Sequence, residues 1–100
     1  MSEDREEAFR LALLELFEEY RVGLVETVAE VEKARQAEDW MTVRRLAHRI
    51  RGTAGTFGHA SLGTLAGELE ERLIAGGDAG ALCSQFVEAL EHFSRSNAPR

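Results

Sequence analysis

Cysteine, proline and tryptophan each occur once in this chain of 100 residues, and no stretch of it stays apolar for long. A lone cysteine, Cys83, leaves neither an intrachain disulfide nor a thiol-based zinc cage to build a fold around. On an apolar helical face it reads as a small core residue. The single proline is Pro99, so nothing before it interrupts a helix for want of a backbone N–H. No apolar run approaches the ~20 residues that cross a bilayer. The N-terminal MSEDREEAF is acidic where a secretory signal is basic and then apolar. These absences predict a cytoplasmic chain with no membrane partner.

What is present is charge and aliphatic surface: 44% hydrophobic and 30% charged residues, the balance of a chain that folds rather than one that stays disordered. The length suits one domain spanning residues 1–100, with one core and a site on its surface, since two lobes enclosing a cleft need more chain. The net charge of −6 is unevenly placed. Residues 40–52 hold Arg44, Arg45, Arg49 and Arg51 and no acid, so this stretch is +4 and the remainder −10. Overall acidity argues against a nucleic-acid partner.

Apolar residues recur at three and four through Phe9, Leu13, Leu16, Phe17, Tyr20, Leu24, Val28 and Val31, the spacing of one helical face. The run reads as one long helix or two abutting ones, and because periodic runs beyond ~25 residues are unusual in a single globular helix, a break near residues 18–21 is the favoured expectation. That makes residues 4–18 an accessory N-terminal helix packed across one end of a bundle formed by residues 20–96. A second helix starts at the N-cap candidate Asp39 and carries Val43, Leu46, Ala47, Ile50, Ala54 and Phe57 to a left-handed cap at Gly58. The third begins near Ser61, has the stripe Leu62, Leu65, Leu69 and Leu73, and ends at Gly76-Gly77. The fourth begins at Asp78 and buries Leu82, Phe86, Leu90 and Phe93 until Pro99. Short connections make neighbours antiparallel. The predicted fold is therefore all-α: an antiparallel up-down-up-down four-helix bundle with an additional N-terminal helix.

The chemical signal lies on the second helix. With ~100° per residue and Val43 at zero, the apolar residues fall between about −60° and +40°, whereas His48 lies near 140°. On the same wheel, at the same ~100° step, Arg51 falls near 80°, Arg44 near 100°, Gly55 near 120° and Gly52 near 180°. His48 is thus expected to be exposed, flanked by guanidinium groups and bare backbone. Each helical glycine costs about 1 kcal/mol relative to alanine, and two on the histidine's side suggest a face kept low for another protein to approach. The plainer alternative is that Gly52 and Gly55 only loosen a helix end. An unprotonated imidazole nitrogen is nucleophilic near neutral pH, and its phosphoramidate gives the phosphoryl group up readily. Arg51 and Arg44, one turn to either side, are placed to stabilise a phosphate.

The run Ala47-His48-Arg49-Ile50-Arg51-Gly52-Thr53-Ala54-Gly55-Thr56-Phe57-Gly58 resembles the signature of histidine phosphotransfer (Hpt) domains, and especially the first domain of CheA-type chemotaxis kinases. The motif covers about a dozen residues, and helix order and spacing extend the likeness over nearly the whole chain. The resemblance implies that His48 is the phospho-acceptor and that a carboxylate on the next helix holds its other ring nitrogen. That position falls on Glu70, with Glu68 and Glu71 as nearby substitutes. An alternative for Glu70 is an ordinary solvent-facing helix residue. The sequence departs from the family at Arg51, where lysine is usual; the charge is kept and a planar bidentate donor is added. His59 and His92 lie outside the motif and are read as non-functional.

The expected function is a phosphoryl carrier of a two-component relay, with His48 receiving from or giving to receiver-domain aspartates. The expected partners are a response-regulator receiver, a sensor histidine kinase, or both. No GxxxxGK[ST] loop or acidic metal cluster occurs, so the chain is not expected to be an enzyme or to hold a cofactor or metal of its own; Mg²⁺ is expected from the partner. The competing reading is a helical interaction module that binds or sequesters a receiver without being phosphorylated.

Overall fold

The computed structural model describes residues 2–97, which form four α-helices and one short 3₁₀ turn. Helix α1 spans Ser2–Gln36, α2 Trp40–Thr53, α3 Ala60–Ile74 and α4 Gly80–Ser94; the 3₁₀ turn Ala54–Phe57 follows α2 directly. Pro99 lies outside the described residues.

Side-chain contacts tie the helices to one another. At the end of α1, Arg35 donates from Nη2 to the Gly80 carbonyl (3.2 Å) and to Ser84 Oγ (2.8 Å) at the start of α4. Midway along α1, Arg21 reaches the Ser96 carbonyl just past the end of α4 (3.2 Å). Late in α2, Arg49 donates from Nη2 to Thr27 Oγ1 of α1 (2.9 Å). Across α2 and α3, His48 meets Glu70 and Arg51 lies against Gly67. One core forms between them, with Leu24, Val31, Val43, Leu46, Ala47, Ile50, Leu62, Leu69, Cys83, Phe86 and Leu90 all buried. Cys83 is the small core residue expected of it, and burial pushes its thiol pKa up.

The helix ends follow from local chemistry. Asp39 caps α2, its carboxylate accepting from the Thr42 amide (3.2 Å) and the Thr42 hydroxyl (2.6 Å). The run after α2 closes on Gly58 at φ 83°, a left-handed conformation that glycine adopts without the steric cost of a Cβ. Gly76 at φ 74° does the same after α3. The histidine helix stays α-helical only to Thr53, because the chain tightens into 3₁₀ geometry before Gly58; α4 begins at Gly80, two residues after the expected start, with Asp78 Oδ1 accepting from the Gly80 amide (3.0 Å).

The N-terminal region differs from expectation. No break occurs at residues 18–21, and α1 is one helix of 35 residues. Nothing in Glu18-Glu19-Tyr20-Arg21 disfavours a helix, and the bundle grips this segment. Tyr20 stacks on Phe57 (ring centroids 4.2 Å apart, planes 12° from parallel), and Phe17 lies 6.2 Å from the same ring. The helix therefore runs through the end of the bundle and continues past it, giving the molecule a long dimension of 55 Å. Phe9 (66% exposed), Leu13 and Leu16 continue the core stripe without being covered by the bundle.

His59 is a buried part of the same end. Its Nδ1 is 2.9 Å from the Tyr20 hydroxyl and its Nε2 is 3.0 Å from Ser96 Oγ. Ser96 donates its one hydroxyl proton to the Phe93 carbonyl (2.8 Å), so it accepts from His59 Nε2–H, and Nδ1 in turn accepts from Tyr20. His59 thereby ties α1, the α2–α3 connection and the end of α4 together as a neutral imidazole.

Candidate functional site

The site is built on the facing flanks of α2 and α3. These two helices are joined by a tight connection and approach closely because small residues line their seam. Gly63 of α3 sits where an added Cβ would lie 3.7 Å from the Ala54 Cβ and from the Arg51 carbonyl. That closeness lets side chains one turn apart on the two helices meet directly.

His48 projects from α2 with its side chain 74% exposed, as the wheel requires. Glu70 projects from α3, one turn beyond Gly67, and is buried with its side chain 10% exposed. Glu70 Oε2 is 2.6 Å from His48 Nδ1, and Arg51 Nη1 donates to Glu70 Oε1 at 3.0 Å. One carboxylate thus takes a neighbour on each oxygen. Burial by itself raises the Glu70 pKa, but hydrogen bonds from Arg51 and His48, with the charges of both, outweigh it and bring the value below the ordinary carboxylate range. Glu70 is therefore ionised at neutral pH and can only accept. The proton of a neutral His48 must sit on Nδ1, which leaves the lone pair of Nε2 facing solvent.

The surroundings are basic and low. Arg44 and Arg45 line a shallow depression with Met41, Thr42, His48 and Glu70. Met41 is 78% exposed, an apolar surface beside the imidazole that residue chemistry alone had not marked. Gly52 and Gly55 are exposed, and a Cβ built on either meets nothing within 4 Å. The space beyond these two glycines is open, so nothing among the described residues requires them to be small. Arg49 points away from this face, toward Thr27 and, at 3.7 Å, toward Glu30. Of the residues expected at the site, the structure joins His48, Glu70 and Arg51 directly and sets Arg44 in the same depression; Gly52 and Gly55 flank it without contact. Glu71 reaches Arg51 Nη2 only at 3.6 Å, and Glu68 is exposed.

Among the described residues, no group of three His, Cys, Asp or Glu side chains is arranged to hold a metal ion, and no helix is long and apolar enough to cross a membrane.

These features define a class: an all-helical domain that presents one oriented, solvent-facing histidine on a basic and flattened flank. Comparison with known families gives the particular one. Residues 15–96 match the family described as Hpt domain, and the chain belongs to it. Hpt domains serve histidine phosphotransfer in phosphorelays in general; they are phosphocarrier modules, not catalytic enzymes, and they interact with response regulators and kinases. No curated protein and no solved structure gives a significant match to the chain.

Proposed function

We propose that this domain carries a phosphoryl group on Nε2 of His48, accepting it from the phospho-aspartate of a receiver domain or from ATP in a kinase domain and passing it to a receiver-domain aspartate. The observation that carries this reading is the His48 Nδ1–Glu70 Oε2 contact of 2.6 Å, which turns the other ring nitrogen outward with its lone pair free.

In the forward step, Nε2 attacks the phosphorus of an aspartyl phosphate. The N–P bond forms as the P–O bond to the aspartate breaks, and the aspartate leaves as a carboxylate. The imidazole becomes cationic, and the ionised Glu70 at Nδ1 stabilises that charge. Loss of the phosphoryl group to the next aspartate reverses each change. Arg44 and Arg51 supply positive charge beside the incoming phosphate, and Gly52 and Gly55 let the partner's backbone come close. In this reading Mg²⁺ and most of the transition-state stabilisation come from the partner. The arginine face matches the acidic pocket of a receiver and makes association sensitive to salt. The contacts described above support an up-down-up-down bundle, read as a single cytoplasmic Hpt domain over residues 1–100.

The test is to incubate the protein with a phosphorylated receiver domain and Mg²⁺. Acid-labile, base-stable phosphate is expected on the wild type and not on His48→Gln. A folded protein that takes no phosphate from several receivers or from a CheA-type kinase domain points instead to an interaction module acting without phosphorylation.

A further inference from the structure

Gly67 is buried inside α3, where glycine weakens a helix, and nothing in the turn geometry there calls for it. Its surroundings supply a reason. A Cβ at Gly67 would lie 3.1 Å from Nε and 3.3 Å from both Cδ and Cζ of Arg51. All three nearest atoms belong to one side chain. The stem and guanidinium root of Arg51 rest on the bare Cα of Gly67, and from this berth Nη1 reaches Glu70 Oε1 at 3.0 Å. The other carboxylate oxygen of Glu70 holds His48. Among the described residues Arg51 approaches no other carboxylate as closely; Glu71 is 3.6 Å away.

We infer that Gly67 is a positioning residue for the phospho-acceptor, acting through Arg51 and Glu70, an inference that rests on the carrier reading of His48. The arrangement is a chain of supports. The missing side chain at 67 admits Arg51, Arg51 fixes the Glu70 carboxylate, and Glu70 fixes the tautomer and direction of the His48 ring. Arg51 therefore has work to do before any phosphate arrives, as the clamp on the carboxylate. A methyl at position 67 forces the arginine to withdraw by a few tenths of an ångström. Its side chain is 47% exposed, so it moves outward into solvent with little consequence for the fold. What the movement weakens is the clamp.

The experiment compares wild type, Gly67→Ala, Arg51→Ala and the double variant, each shown to be folded by its thermal midpoint. Two quantities are read: the Nδ1–H fraction of neutral His48 from ¹⁵N shifts, and the rate of phosphorylation by a phosphorylated receiver. Gly67→Ala is expected to lower the Nδ1–H fraction and to slow phosphorylation by roughly three- to tenfold, the scale of one weakened charge-assisted hydrogen bond. In the double variant Gly67→Ala is expected to add nothing to Arg51→Ala, because the residue it displaces is gone. Wild-type tautomer and rate in Gly67→Ala, or single effects that multiply in the double variant, overturn the inference. Should no variant and no wild type accept phosphate, the carrier reading fails on the second readout, while the tautomer still decides whether Gly67 positions His48.

Discussion

His48 Nδ1 and Glu70 Oε2 lie 2.6 Å apart, joining an exposed imidazole on α2 to a buried carboxylate on α3. The contact spans two helices, so the direction of the imidazole depends on how α2 and α3 pack and not on α2 alone. Glu70 is held in its ionised form, against the cost of burial, chiefly by the hydrogen bonds it accepts from Arg51 and His48, and an ionised carboxylate is what keeps the proton on Nδ1.

Glu70→Gln retains a carbonyl acceptor of similar shape but loses the charge that stabilises the imidazolium formed on phosphorylation. The expected result is phosphorylation slowed roughly tenfold, in line with the loss of carboxylate partners that orient histidines elsewhere, with only a small change in thermal midpoint. Rapid-quench phosphorylation of the variant beside wild type measures it. A rate within a factor of about two of wild type would remove Glu70 from the account.

The sequence reveals this site unevenly. Periodicity alone turns His48 outward, since Val43, Leu46 and Ile50 leave only the opposite flank to it, and Asp39, Gly58 and Gly76 mark their turns by chemistry that acts within a few residues. Glu70 is found through family resemblance, although at ~100° per residue it also lies closer to the Leu62, Leu69 and Leu73 stripe than Glu68 or Glu71 does; packing then buries it. Gly67 escapes notice. Its partner Arg51 is on another helix, although a glycine in a helix interior one turn before Glu70 is the signal already used for Gly52 and Gly55. At the N-terminus, spacing shows that Phe9, Leu13 and Leu16 share a face with Leu24. It cannot show where the bundle that covers this face stops. The break expected at residues 18–21 rested on length alone, with no proline, glycine or cap to produce it.

The overhanging part of α1 adds little to the stability of the domain. Phe9, Leu11, Leu13, Leu14 and Leu16 are all exposed, and the family match begins at residue 15. Removing everything before Ala12 is expected to change unfolding free energy by less than about 1 kcal/mol, as for surface changes generally, and to leave phosphorylation unaltered. Urea denaturation checks it. A loss of several kcal/mol would show that the overhang supports the bundle.

His59 gives stability a pH dependence of known sign. Burial, and secondarily the charge of His92, lower its pKa below 6.5 in the folded protein. Between 6.5 and the lower folded value, the unfolded chain binds a proton that the folded chain does not. The stabilisation is therefore fully present above about pH 6.5 and is lost as pH falls through that window. Tyr20 remains a donor throughout, since burial lifts its phenol to about 12. Thermal midpoints from pH 7.5 down to 5 should fall more steeply for wild type than for His59→Gln. Parallel slopes would mean that His59 titrates alike in both states.

The central claim is that Nε2 of His48 is the nitrogen that carries phosphate. Its most direct measurement is ¹H–¹⁵N and ³¹P NMR of the phosphorylated, uniformly ¹⁵N-labelled protein, locating the N–P bond. The account predicts a single phosphoramidate on Nε2 of His48, with Nδ1 still protonated and bonded to Glu70. Phosphate on Nδ1 of His48, or on His59 or His92, would contradict it.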